Sequence, residues 1–266
     1  MPLRSVRAGL GVAALAAATL VGLPVQHVAL KLGSPAARRI PVLFHRFALG
    51  AIGVRRRVVG VPGVGRPLLM TANHASWLDI VVLGATAPVS FVAKSEIASW
   101  PLFGAFARLQ RSIFVDRQRR RATGAVSREM SERMVAGDPI VLFAEGTSND
   151  GVRLLPFRSA LIGAARAAIV SGGGEEAFVQ PVSIAYTHRN GLPLGRRGRQ
   201  EVAWYGDLDI LPHMWAVLRG GAIDVTVSFG APIRIDAGTD RKAVARAAEA
   251  EVRRMTAAAF RGEAAG

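Results

Sequence analysis

The chain opens on an unbroken apolar run and continues as a longer body of alternating pattern. From Ala8 to Leu30, "AGLGVAALAAATLVGLPVQHVAL", no Asp, Glu, Lys or Arg interrupts the run. A helix crossing a bilayer needs roughly twenty such residues. Pro24, Gln26 and His27 weaken the far end, so a helix dipping into one leaflet fits as well as a full span. Arg4 and Arg7 precede the run and Lys31, Arg38 and Arg39 follow it, basic flanks that set no orientation. A cleaved signal peptide has the same order of basic, apolar and small residues and stands as the alternative. A second apolar stretch, residues 40–54, suits an amphipathic helix returning along the membrane surface. The pattern predicts a membrane-anchoring helical segment over residues 1–57 and an α/β domain over residues 58–266.

Beyond Arg57, short apolar runs alternate with helical stretches. Strands are predicted at residues 68–72, 90–93, 112–115, 140–144, 179–184 and 225–229. Helices or helical turns are predicted at residues 78–85, 100–109, 124–135 and 159–170. Such alternation predicts a mainly parallel central sheet flanked by helices. A closing helix follows from "DRKAVARAAEAEVRRM", which puts Val244, Ala248, Val252 and Met255 on one face. Loops are marked by "GVPGVGRP", "SGGGEE" and "NGLPLGRRGR". "GVPGVG" precedes a strand instead of following one, so it is no dinucleotide fingerprint. Trp100, Phe103, Phe106, Met214 and Trp215 fall at spacings usual for core faces, with a membrane-facing or acyl-tunnel role as the rival reading.

Charge adds a partner. Lys+Arg 34 against Asp+Glu 19 gives +15, nearly all of it arginine. The excess suits an anionic membrane surface or nucleic acid, and genome composition is the bland alternative. A nucleic-acid-binding protein would need an aromatic–basic motif, a zinc pattern or a helix-turn-helix signature, and the chain has none, so no nucleic-acid partner is expected. The chain has no cysteine, which excludes disulfides and a thiolate nucleophile. His27, His45, His188 and His213 lack ligand spacing, so no metal site is expected.

The chemistry concentrates in "MTANHASWLDI", residues 70–80. Five residues along a helix advance about 500°, leaving His74 and Asp79 roughly 140° apart. They meet only if His74 lies in the turn before a helix and Asp79 points back from its first turn. Asn73 and Ser76 suit the capping of such a start. A carboxylate holding one imidazole nitrogen leaves the other as a general base. No G-x-S-x-G nucleophile motif accompanies it, so the base would act directly on a substrate hydroxyl. A capping Asn beside a hydrogen-bonded His is the structural alternative.

"NHASWLD" resembles the N-H-x-S-W-x-D form of the H-x4-D motif of the glycerolipid acyltransferases, typified by 1-acylglycerol-3-phosphate acyltransferase. "SIFVDR" (residues 112–117), "VLFAEGTS" (141–148) and "VQPVSI" (179–184) resemble that family's second, third and fourth blocks, in order. "FVAKSEIASWPLFG" falls where the family commonly has a lysine and an aromatic-Pro-x-x-G turn. The resemblance implies transfer of a fatty acyl group from acyl-carrier protein or acyl-CoA to a lysolipid hydroxyl, with no metal or other cofactor. It implies His74 as general base and Asp79 as its orienting partner. Arg117 would meet the acceptor's anion, and Glu145, Gly146 and Thr147 would shape the acceptor pocket. Asn73, Ser76, Lys94, Arg153 and Arg158 would support them. The main reading is acylation of 1-acyl-sn-glycerol-3-phosphate to phosphatidic acid at the cytoplasmic side of the inner membrane. The alternative is a lyso-ornithine lipid O-acyltransferase, which "EGTSNDG" and the "QPVSIAYTHRNGLPLGRR" segment resemble. Two departures from the family bear on that choice. Ala144 stands where proline is usual, and Ser148 stands where the phosphate-binding arginine of the third block usually sits.

Overall fold

The computed structural model describes residues 2–63, 66–116, 120–172 and 174–263. The short apolar runs form the strands β1 (Val54–Val59), β2 (Leu68–Ala72), β3 (Ser90–Lys94), β4 (Ile113–Val115), β5 (Ile140–Phe143) and β6 (Ala177–Arg189). They are joined by β7 (Leu192–Pro193), β8 (Ile223–Phe229) and β9 (Ile233–Ile235). The sheet order is β1-β8-β6-β2-β5-β3-β4, with β7 and β9 also pairing with β6. From β6 to β4 every neighbour is parallel. The sheet is mainly parallel as expected, with β8 and β9 antiparallel to β6 and β1 parallel to β8.

Nine α-helices are present among the described residues, with one 3-10 helix at Ser95–Ser99. They are α1 (Pro2–Lys31), α2 (Ala36–Ile52), α3 (Leu78–Thr86), α4 (Pro101–Leu109), α5 (Arg120–Val135), α6 (Gly163–Gly172), α7 (Arg196–Val202), α8 (Ile210–Arg219) and α9 (Arg241–Phe260). β2 is buried along its whole length because helices cover both faces of the sheet, which is why it reads as a continuous apolar run. Its period of two divides its side chains between two cores. Leu68 and Met70 join Leu78, Val82, Ile52 and Leu218 on the side of α2, α3 and α8. Leu69 joins Met130, Ala168, Val179 and the Val244–Ala248–Val252–Met255 face of α9 on the other. Asp240 caps α9, accepting from the amides of Lys242 and Ala243 at 2.9 and 3.2 Å.

α1 is the one helix among the described residues long and apolar enough to cross a membrane. It does not stand away from the sheet. Ala8 is 2% exposed within the α3-side core, and a Cβ on Gly11 would sit 2.7 Å from the Ala51 carbonyl oxygen of α2. Two of its polar side chains reach backbone carbonyls of neighbouring elements. Arg7 donates to the Leu218 carbonyl at 2.8 Å, and Gln26 donates to the Ala37 and Leu109 carbonyls, both at 2.9 Å. Leu3, Leu10, Leu20, Val21, Val25 and Val28 are exposed. Residue 57 lies inside β1, whose register pairs Val54 with Ile223 of β8. Of the positions at core spacings, Phe106 packs on Phe44 and Met214 on the core, but Trp215 is 40% exposed.

Candidate active site

β2 and β5 are parallel neighbours, so the chain leaves both at the same edge, where open α/β sheets place their ligand crevices. Residues 73–77 follow β2 and lead into α3, and residues 144–149 follow β5. Two loops thus face each other across one strand spacing.

Asn73 does not cap α3. Its amide donates to the Ile184 carbonyl at 2.9 Å and its carbonyl accepts from the Ile184 amide at 2.8 Å, which staples the loop to β6. Ser76 contributes only a long 3.4 Å contact from the Leu78 amide to its hydroxyl. Asp79 organises the turn instead. Fully buried in the first turn of α3, its Oδ2 accepts from the amides of Ala75 and Ser76 at 2.7 and 2.9 Å. The same oxygen lies 2.8 Å from His74 Nδ1. His74 sits before the helix and Asp79 points back from it, the one arrangement that brings them together.

The second carboxylate oxygen has a partner that the sequence does not announce. The Tyr186 hydroxyl donates to Asp79 Oδ1 at 2.6 Å. Burial, reinforced by the charge of Asp79, pushes the phenol well above its usual range, so it remains a donor at neutral pH. His74 is 17% exposed, with its ring stacked on Phe143 at 4.0 Å between centroids. With Nδ1–H donated to Asp79, Nε2 is the nitrogen left for a substrate proton.

Glu145 is buried beneath this turn. Oε1 accepts from the His74 amide at 2.9 Å, Oε2 from the Leu155 amide at 2.8 Å, and Asn149 Nδ2 reaches both oxygens at 2.9 and 2.8 Å. The Asn149 amide returns a bond to the His74 carbonyl at 2.8 Å. Burial pushes the Glu145 carboxyl above its usual range, and these donors, Asn149 first, offset only part of that rise. The Glu145 oxygens are engaged by these protein donors, and the bond to the His74 amide fixes the backbone there.

Gly146 has φ +78°, and a Cβ there would lie 2.9 Å from Cδ and Nε of Arg158. The absence of a side chain lets Arg158 lie across the Glu145–Gly146 turn, with its amide 2.7 Å from the Ala144 carbonyl. Thr147, Arg153 and Lys94 are exposed, and Ser148 is half-buried. Arg153 follows a turn that Asp150 closes by accepting from the amides of Val152 and Arg153. Arg117 lies outside the described residues. No group of three or more His, Asp or Glu side chains able to hold a metal ion occurs among the described residues. The arrangement can remove a proton from a hydroxyl and store it briefly on an imidazole backed by a carboxylate.

The Acyltransferase family profile matches residues 54–185. The chain is 50% identical over 258 residues to lyso-ornithine lipid O-acyltransferase of Brucella abortus (strain 2308), covering 97% of each protein. It is 43% identical to lyso-ornithine lipid O-acyltransferase of Rhizobium meliloti (strain 1021), over 92% of this chain and 84% of that one. Against 1-acyl-sn-glycerol-3-phosphate acyltransferase of Neisseria gonorrhoeae it is 30% identical, over 85% of this chain and 84% of the other. The fold is similar to the crystal structure of the 1-acyl-sn-glycerophosphate (LPA) acyltransferase PlsC from Thermotoga maritima. That likeness has a TM-score of 0.56 at 20% identity and covers 83% of this chain and 78% of that one. A near full-length match at half identity leaves no doubt about kinship: the chain is an acyltransferase and belongs to the glycerolipid acyltransferase family.

Proposed function

We propose that the enzyme moves a fatty acyl group from a thioester to the free hydroxyl of lyso-ornithine lipid, forming ornithine lipid. The observation that carries the acceptor is the near full-length identity to enzymes named for that reaction, set beside weaker identity to those named for 1-acylglycerol-3-phosphate. The order of the two sequence readings is thereby reversed. Chemistry agrees. A phosphate monoester is best held by a fork of arginines, and Ser148 leaves one tine of it absent. An ornithine head group carries one carboxylate and one ammonium. Arg158, laid over the turn beside Glu145, suits the carboxylate.

In the reaction, His74 Nε2 takes the proton of the acceptor hydroxyl as its oxygen attacks the thioester carbonyl. The ester C–O bond forms, the C–S bond breaks, and the imidazolium returns its proton to the departing thiolate. Asp79 stabilises that imidazolium. The phenol of Tyr186 draws charge away from Asp79, so Tyr186→Phe should bind the imidazolium more tightly and move the acidic limb of kcat/KM to higher pH. The plateau rate should stay within about tenfold of wild type, since the dyad itself remains. A pH–rate profile with an unmoved limb would reduce Tyr186 to a packing residue.

Acyl-carrier protein or acyl-CoA would supply the thioester, and both are cytoplasmic, which puts the site on the cytoplasmic side of the inner membrane. The apolar face of α1 would supply the anchor. The acceptor reading is tested by measuring kcat/KM for both lysolipids in wild type and in Ser148→Arg. Wild type should prefer lyso-ornithine lipid. The variant should shift the ratio toward the phosphate acceptor by about 1–3 kcal/mol, the worth of a charge-assisted pair. A wild type that prefers the phosphate acceptor, with a ratio untouched by Ser148→Arg, would overturn the reading.

A further inference from the structure

We propose that α8 is a second membrane-docking element, lying in the bilayer interface with Leu211 and Trp215 directed into lipid. The helix reads Ile-Leu-Pro-His-Met-Trp-Ala-Val-Leu-Arg. Val217 and Leu218 are buried and Met214 packs on the core, so the inward side is accounted for. The outward side is apolar too. Leu211 is 67% exposed and Trp215, one turn on, is 40% exposed, with Pro212 and Ala216 exposed beside them. No charged residue occurs on that side before Arg219 at the end of the helix. Leu208, just before α8, is exposed as well. A helix facing water carries polar groups on its outer side, and this one does not.

Lipid is the occupant that the surroundings select. α8 is in direct contact with α1, the apolar anchor helix, through the bond from Arg7 to the Leu218 carbonyl. The same end of α1 exposes Leu3, Val6 and Leu10, so both contacting helices carry exposed apolar side chains. Exposed Arg4 and Arg219 lie at one end of this surface, and exposed Asp207 and Asp209 flank Leu208 at the other. Tryptophan, with an apolar ring and one N–H, is the side chain most at home at a membrane interface.

The inner side of α8 reaches the dyad. Trp77 Nε1 donates to His213 Nδ1 at 3.1 Å, and Trp77 lies in the turn that Asp79 holds. The Trp204 amide, in the segment leading to α8, donates to the Ala75 carbonyl at 2.7 Å. The helix in contact with lipid is thus tied to the loop that presents His74. A lysolipid can then offer its hydroxyl without leaving the interface. This last consequence rests on the lysolipid reading; the docking does not.

The test uses the full chain on anionic vesicles containing phospholipids brominated near the head of the acyl chain. The protein has four tryptophans, so the Trp215 signal is the difference between wild type and Trp215→Phe. Bromine should quench about half or more of that difference, as it does for an indole at the interface. A difference signal untouched by brominated lipid overturns the proposal, whether the indole is instead quenched by aqueous iodide or shielded by a second copy at doubled mass. In Leu211→Ser/Trp215→Ser, the ratio of turnover in vesicles to turnover in detergent micelles should fall about tenfold, as apolar contact with the interface is lost. An unchanged ratio contradicts the link to catalysis. Quenching in a protein that acylates neither lysolipid would sink the acceptor reading and leave the docking standing.

Discussion

Replacing His74 by alanine is expected to slow acyl transfer ~10²–10⁴-fold, the usual worth of a positioned general base. The loss should fall on kcat, because the imidazole acts on the hydroxyl proton as the C–O bond forms and contributes little to holding the acceptor. Asp79→Asn should be nearly as damaging. Besides His74, Asp79 serves three further donors, at Ala75, Ser76 and Tyr186. An amide cannot accept all of them, and it holds the imidazole without stabilising its cation. Purified variants compared with wild type at saturating thioester, alongside circular dichroism and vesicle sedimentation, give the measurement. Variants that are folded and membrane-bound yet retain wild-type kcat would remove His74 and Asp79 from the chemistry.

Glu145→Gln should carry the second-largest effect, this time on stability. The buried carboxylate answers donors from His74, Leu155 and Asn149, and an amide offers one oxygen where two are needed. Its NH2 would face at least one of those donors directly. The unmet groups should cost about 2–4 kcal/mol, a large share of a typical domain's stability. Denaturant unfolding of both proteins reads this as a lower midpoint. Activity should drop with it, because the His74 amide loses its anchor and the imidazole its fixed origin. An unchanged midpoint would mean that the loops after β2 and β5 are held together by something other than Glu145.

Part of this design can be read directly from the residues. β2, β5 and α3 announce themselves as apolar runs with clear ends, and the arithmetic of five residues already requires His74 before the helix and Asp79 within it. β1 hides because "VRRRVV" carries three arginines in succession; it is an edge strand, with Val54 buried and Arg55 paired to Asp224 on β8. α7 hides in "RRGRQEV", whose glycine and arginines read as loop until Val202 is seen buried. Tyr186 and Ile184 reach the site only through the register of β6 on β2, where Val182 lies opposite Ala72. Alternation then puts Ile184 and Tyr186 on one face, but no local pattern reveals a pairing across more than a hundred residues. The apolar run of α1 has the same character whether lipid or protein covers it. Only Gly11 and Gln26 hint at a docked side, where a backbone approaches and an amide finds two carbonyls.

The most direct test of the account is a competition. Wild-type enzyme in vesicles receives a labelled acyl thioester with equal amounts of lyso-ornithine lipid and 1-acylglycerol-3-phosphate, and the products are weighed by mass spectrometry. The account predicts label chiefly in ornithine lipid, and almost none in either product with His74→Ala. Label chiefly in phosphatidic acid, or equal labelling by the alanine variant, would contradict it.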